Sequence, residues 1–164
     1  MLDVHAAIAL LERAWAEGVA VGAFDLGNLY EHGLIRAPGI NRLAPDESRA
    51  WFWYGKGAAA GEPNCLSRFA EREDRAASHA DSVAGRNSHL LVGFKYYAAA
   101  AERARIEDWP EERWRNWRHR RASLARVLAR ARMMEEVAVA YDRVRNQYAP
   151  PPTLWERATR TTAR

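Results

Sequence analysis

The sequence predicts an all-α protein of about six or seven helices, arranged as a solenoid of αα-hairpins or as a compact bundle. Three observations lead to this fold class. Apolar residues recur at steps of three and four along most of the 164 residues. Ala and Leu are plentiful, whereas long runs of β-branched residues are absent. Glycines and capping residues separate the periodic segments, and no segment has the pattern of a strand.

The first three predicted helices lie within the first 61 residues. The apolar stripe of the first helix consists of Val4, Ile8, Leu11 and Trp15. Asp3 precedes this helix as its N-cap, and Gly18 ends it. A second, shorter helix ends at Gly33. After a loop rich in Gly and Pro, Asp46 caps a third helix that ends at Gly61.

Two segments of this region carry halves of a repeat motif. The first segment ends in LG-x-LY-x-x-G, with its motif residues at Gly18, Ala23, Leu26, Gly27, Leu29, Tyr30 and Gly33. The second has the pattern D-x-x-x-A-x-x-WY-x-K-x-A-x-x-G, with its motif residues at Asp46, Ala50, Trp53, Tyr54, Lys56, Ala58 and Gly61. In this order they resemble the second half of one Sel1-like repeat and the first half of the next. The resemblance covers about residues 4–70 and decays at Phe69–Ala70, where Leu-Gly is expected.

The Sel1-like resemblance implies TPR-like helix pairs that pack side by side. Gly27, Gly57 and Ala58 are then the positions of closest helix approach, while Trp53 and Tyr54 fill the space between pairs. Such stacks need several units, so the rest of the chain must complete the core. The predicted organisation is one helical repeat domain over 1–149, with a Sel1-like part over 4–70 and a divergent helical part over 88–149, then a Pro-led tail over 150–164.

The rest of the chain before this tail is also predicted to be helical. A helix over residues 64–84 is followed by a break at Gly85–Ser88, in which Ser88 caps the next helix. Pro110 occupies the first position of a later helix, where its missing N–H costs nothing. In the tail, Trp155 is expected to dock back onto the fold. The apolar stripes of the last three helices are Leu90, Phe94, Tyr97, Ala101 and Ala104; Trp114, Trp117, Leu124, Leu128 and Ala131; and Met134, Val137, Tyr141, Val144 and Tyr148.

Composition argues against several classes of protein. No apolar run is long enough to span a bilayer. The first residues lack a basic region and carry Asp3, Glu12 and Arg13 at helical spacing, unlike a signal peptide. A single cysteine, Cys65, excludes an internal disulfide framework. We therefore expect a cytoplasmic protein, or a periplasmic one if a leader precedes residue 1.

The sequence shows no pattern typical of an enzyme. No two histidines have the i, i+4 spacing of metal ligands, and Cys65 has no cysteine partner. The adjacent acids Glu107–Asp108, Glu111–Glu112 and Glu135–Glu136 stand at predicted helix ends, where capping explains them. Nucleotide-binding and nucleophile-elbow motifs are absent from the sequence. We predict a non-enzyme without metal or cofactor.

The positive charge is concentrated in the back half. Residues 1–70 hold six basic and eight acidic side chains, whereas residues 71–164 hold nineteen basic and thirteen acidic. On the helix after Pro110, four arginines gather on the side away from Trp117 and Leu124, namely Arg115, Arg118, Arg126 and Arg130. This ridge is consistent with a solvated face paired with acids of a neighbouring helix, with a surface for an acidic protein, or with a phosphate-binding surface. Interleaved acids disfavour the last interpretation.

Three further residues are candidate contacts for a partner. Arg121 lies on the apolar face between Trp117 and Leu124, so it is either a structural arginine stacked on Trp114 or Trp117 and bonded to a carboxylate, or an anchor for an acidic group of a partner. Aromatic residues at the protein surface are frequent in binding hot spots. The two aromatic candidates are Trp51, which projects to a different side of its helix from Trp53, and Trp109.

The predicted function is binding of another protein. Sel1-like repeat proteins are, as a family, adaptor modules of protein complexes, often bacterial. Residues 88–144 also loosely resemble predicted immunity proteins of secreted toxins, which implies a cognate toxin or effector as the partner. The alternatives are a nucleic-acid-binding domain that uses the Arg-rich helix over 113–132, and a self-associating structural domain.

Overall fold

The computed structural model describes residues 3–34 and 43–148. Within these ranges the chain forms seven helices and no strand, which confirms the predicted all-α class. One isolated backbone bridge joins Leu34 and Leu43. The predicted tail over 150–164, including Trp155, lies outside the described residues. The helices are α1 (Val4–Ala16), α2 (Val21–His32), α3 (Glu47–Ala59), α4 (Pro63–Ser78), α5 (Val83–Ile106), α6 (Glu111–Arg130) and α7 (Met134–Tyr148).

The predicted helix ends of the front half are confirmed. The Asp3 carboxylate accepts a hydrogen bond from the backbone N–H of His5 at 3.0 Å, and the Asp46 carboxylate accepts one from that of Arg49 at 2.9 Å. Gly18 follows α1 with a φ of 90°. This left-handed conformation favours glycine and reverses the chain into α2.

The boundary between α4 and α5 differs from the prediction. The break over Gly85–Ser88, with Ser88 as a cap, is wrong, because α5 runs through these four residues. The cap is Ser82, whose hydroxyl oxygen accepts a hydrogen bond from the N–H of Gly85 at 3.0 Å. α4 correspondingly ends at Ser78, six residues before the predicted end. The Ser82 cap therefore starts the helix before the Gly-Arg-Asn-Ser sequence, despite the low helix propensity of that sequence.

The entrance to α6 also differs by one residue. Pro110 is the residue before the helix rather than its first residue, with an extended ψ of 131°. The acids Glu111 and Glu112 occupy the first turn, where their negative charge interacts favourably with the positive end of the helix dipole. The indole N–H of Trp114 donates to the carbonyl of Trp109 at 3.1 Å, which ties this entrance together.

The front core lies between α1, α2, α3 and α4. Two glycines allow the helices to approach, as the repeat motif implies. A Cβ at Gly27 would overlap the ring of Tyr54, and a Cβ at Gly57 would overlap the sulfur of Cys65. The buried residues of this core are Ala23, Leu26, Tyr30, Ala50, Trp53, Tyr54 and Cys65.

In the back half, α5 is the central helix and packs against α4, α6 and α7. Its alanine run is buried together with Leu66 of α4 and Val144 of α7, since small side chains let neighbouring helices come close. No helix of the described residues is both long and apolar enough to cross a bilayer. The main back core consists of Ala70, Phe94, Tyr97, Leu124, Leu128, Val137 and Ala140.

Candidate arginine-lined binding site

A cleft of about 400 Å³ opens between the carboxyl-terminal half of α5, the middle of α6 and α7. We call it the arginine cleft. Four of its eight lining residues are arginines, contributed by all three helices. The lining residues are Ala101, Glu102 and Arg105 from α5, Trp114, Arg118 and Arg121 from α6, and Tyr141 and Arg145 from α7.

One carboxylate, that of Glu102, stands among the cleft arginines. Arg105 donates two hydrogen bonds to it, at 2.6 and 3.3 Å, in the forked geometry that suits a guanidinium. These bonds lower the pKa of Glu102, and the nearby charges of Arg145 and Arg121 lower it further. Glu102 is therefore ionised at neutral pH and already engaged.

Arg121 is only partly buried and lies over the ring of Tyr141, with its guanidinium carbon 5.1 Å from the ring centroid. The prediction that it stacks on Trp114 or Trp117 is wrong, because α7 supplies the ring. Within the described residues no carboxylate lies within 4.0 Å of the guanidinium nitrogens of Arg121 or of Arg145. Two of the four cleft guanidiniums thus keep their donors available.

Arg118 lines the arginine cleft, although the sequence places it on the exposed ridge. Its guanidinium forms an ion pair with Glu111 at 2.8 Å and lies 5.6 Å from the ring centroid of Trp114. The cleft therefore contains four guanidiniums, of which Arg105 and Arg118 each have a carboxylate partner. The charge left over is that of two guanidiniums.

The other three ridge residues, Arg115, Arg126 and Arg130, are exposed on α6 outside the cleft. Arg126 donates to the carbonyl of Ala122 at 3.3 Å. The ion pair with an acid of a neighbouring helix, which the sequence analysis allowed for the ridge, is made instead by Arg120. Its Nε lies 2.8 Å from Asp74 of α4.

Neither candidate tryptophan lines the arginine cleft. Trp109 is partly buried at the entrance to α6, its ring centroid 6.2 Å from that of Trp117. Trp51 lies on α3 and meets Phe69 edge-on at 5.4 Å between ring centroids. The guanidinium of Arg72 covers the Trp51 ring at 4.7 Å. The predicted binding residues therefore divide into a cleft group, an exposed ridge group and two separate aromatic positions.

Sequence reasoning missed four residues of the cleft: Glu102, Arg105, Tyr141 and Arg145. Arg145 follows Tyr141 by four residues, so the two share a face of α7. That spacing was visible in the sequence. The sequence could not show that this face of α7 meets the end of α5. Contacts between helices that are not consecutive in the chain depend on tertiary packing.

Chemically, the cleft offers hydrogen-bond donors and positive charge between two aromatic walls, Trp114 and Tyr141. Such an arrangement binds planar anionic groups, above all carboxylates. In the part of the chain that the structure describes, no group of three or more His, Cys, Asp or Glu side chains is placed to hold a metal ion. Comparison of the chain with protein-family models, curated proteins and solved structures gave no match.

Proposed function

We propose that this chain is a protein-binding module whose arginine cleft receives acidic side chains of a partner protein. The observation that carries the proposal is the pair of guanidiniums, Arg121 and Arg145, that share one cavity and have no ion-pair partner within the described residues. Like charges held in one concave site raise the free energy of the isolated protein, and an incoming carboxylate relieves this repulsion. Arginine is moreover one of the residues that dominate binding hot spots.

The surroundings of the cleft favour a protein partner over a nucleic acid. Four acids, Glu107, Asp108, Glu111 and Glu112, lie at the junction of α5 and α6, next to the cleft residues Arg105 and Trp114. A phosphate backbone would meet this negative charge along its path. A single acidic side chain of a protein can place its charge inside the cleft without meeting these acids.

The overall architecture supports the same proposal. Consecutive helices are in contact from α1 to α7, although α7 packs more against α5 than against α6. Together with the Sel1-like motif over 4–70, this favours an adaptor role. The narrower prediction of an immunity protein stays a prediction from residues 88–144; it requires that the partner be a toxin whose activity falls when this chain binds.

The proposal is tested with a fluorescent hexaglutamate peptide and a hexalysine peptide as probes. Binding is followed by fluorescence anisotropy on the full chain. We expect Arg121→Gln and Arg145→Gln each to weaken hexaglutamate binding about tenfold or more, because a hydrogen bond to a charged group contributes about 1.5–3 kcal/mol.

Arg115→Gln is the matched control. It removes the same charge from α6, but Arg115 is exposed outside the cleft. An equal loss of affinity in Arg115→Gln and Arg121→Gln would show general charge attraction and would refute the cleft as the binding site. If the chain instead binds a single-stranded RNA more tightly than hexaglutamate, and Arg115→Gln and Arg130→Gln lose that binding, the nucleic-acid alternative is favoured.

A further inference from the structure

A second concave surface lies on the other side of α7 from the arginine cleft. Two adjoining cavities, each of about 400 Å³, run along the line where α7 meets α5. They share Lys95, Ala140 and Arg143 and therefore form one continuous depression. We call it the α5–α7 groove. It lies outside the Sel1-like part of the chain, apart from Ala58 and Leu66 at one end.

The groove has the dimensions of a helix. Its α7 side extends from Glu135 to Tyr148, about 20 Å at 1.5 Å per residue, which matches three to four turns of a second helix. Ala99 and Ala140 lie on its floor, and such small side chains allow close approach of a neighbouring backbone. Further apolar surface comes from Val92, Tyr96, Val139 and Val144.

The charges of the groove are ordered along its length. Lys95 of α5 and Arg143 of α7 lie at its centre, and neither has a carboxylate within 4.0 Å among the described residues. Glu135 and Glu136 lie at the end nearest the start of α7. An occupant that complements this pattern carries acids at its middle and a basic residue at one end.

From this shape and charge order we infer that the α5–α7 groove binds an amphipathic helix of a partner protein, with an apolar stripe on the floor and acidic side chains against Lys95 and Arg143. Apolar stripes of this kind supply the anchors when a helix docks into a groove. The central cations select acidic flanks over basic ones by charge complementarity. This surface is separate from the arginine cleft, because Arg143 and Arg145 stand on different sides of α7.

The test uses two labelled helical peptides of about 14 residues with the same leucine stripe. One carries glutamates beside the middle of the stripe, and the other carries lysines there. We expect the full chain to bind the glutamate peptide at least tenfold more tightly. In the double variant Lys95→Glu/Arg143→Glu the preference should reverse in favour of the lysine peptide, which also shows that the variant is folded.

Arg145→Glu is the matched control, since it changes the same charge on α7 but faces the arginine cleft. It should leave the preference between the helical peptides unchanged, and Arg121→Gln should do the same. If Arg121→Gln loses hexaglutamate binding but still binds the helical peptides, the cleft and the groove bind independently. Failure of this inference can then be distinguished from failure of the proposed function.

Three results would overturn the inference. Equal affinity for both peptides would show that the central cations do not select the occupant. A dimer seen by light scattering that Lys95→Glu/Arg143→Glu abolishes would identify a second copy of this chain as the occupant. Tighter peptide binding by Trp155→Ser would show that the chain's own residues 149–164 compete for the groove and are its occupant. These residues lie outside the described residues.

Discussion

The front half of the molecule, α1–α4, and the back half, α5–α7, treat their charged groups differently. In the front half, Glu31 accepts a hydrogen bond from Tyr54 and is paired with Arg68, and the buried Glu62 accepts one from the N–H of Cys65. In the back half, Arg121 and Arg145 have no ion pair within the described residues. Arg145 is exposed and Arg121 is only half-buried, so water can solvate both guanidiniums and their donors remain open to an external partner.

The two halves also differ in how closely their helices approach. In the front half, Gly27 and Gly57 bring α2, α3 and α4 into contact that leaves no room for another methyl group. In the back half, the contact lines of α7 with its neighbours open into the arginine cleft and the α5–α7 groove. This difference favours our proposal that the front half serves as a scaffold and that the back half recognises the partner.

The largest effect on stability is expected from Gly57→Ala. The added methyl group would overlap the Cys65 sulfur and lie 3.2 Å from the Cβ of Ala23. We expect a loss of about 2 kcal/mol in the free energy of unfolding, as is typical of an overpacked core. Thermal denaturation should show a fall in Tm of about 4–8 °C.

Gly55→Ala is the matched control on the same helix. A Cβ at Gly55 meets nothing within 4 Å, so the substitution should raise stability by roughly 0.5–1 kcal/mol through helix propensity alone. Equal Tm values for the two variants would show that α3 and α4 are not packed as described.

A smaller effect is expected from Tyr54→Phe, which removes the hydroxyl whose single proton is shared between Glu31, at 2.7 Å, and Asn28, at 2.9 Å. The loss should be about 1–2 kcal/mol at neutral pH, because both acceptors are left without this donor. Chemical denaturation followed by circular dichroism measures it.

The same variant makes a prediction about pH. Burial raises the pKa of Glu31, but hydrogen bonds from Tyr54 and Arg68 outweigh burial and leave the pKa lowered. A lowered carboxyl pKa contributes stability that is complete above the pKa of an unfolded glutamate, about 4.3, and is lost as the pH falls through the folded value. The difference between wild type and Tyr54→Phe should therefore shrink on acidification, and a constant difference would contradict the network.

The smallest effect on stability is expected in the back half, from Glu102→Gln. The forked pairing with Arg105 is lost, which should cost about 1 kcal/mol. Affinity for hexaglutamate should rise about threefold or more, since the carboxylate that competes with the probe is gone. Unchanged or weaker binding would show that the probe does not enter the cleft.

The sequence was sufficient to predict those features that depend on neighbouring residues. Asp3 and Asp46 cap their helices, and Gly18 reverses the chain. The close approach at Gly57 came instead from the family resemblance. The α5 start was missed because Gly85 and Ser88 are weak helix formers in isolation. The cap at Ser82 starts the helix ahead of these residues in spite of that local preference.

The arginine cleft could be predicted only in part. Arg118 and Arg121 stand out within α6, because Arg118 belongs to the arginine ridge and Arg121 interrupts the apolar face. Arg145 and Glu102 become significant only once α7 is known to pack beside the end of α5. That placement depends on the alanine run of α5, whose depth of burial has no local signature in the sequence.

Nuclear magnetic resonance of the arginine Nε–H signals, followed during titration with hexaglutamate, can locate recognition in the back half residue by residue. We expect saturable shifts at Arg105, Arg121 and Arg145, while the signals of Arg68 and Arg49 in the front half stay unmoved. Shifts confined to Arg115, Arg126 and Arg130, or shifts of equal size in both halves, would contradict this expectation.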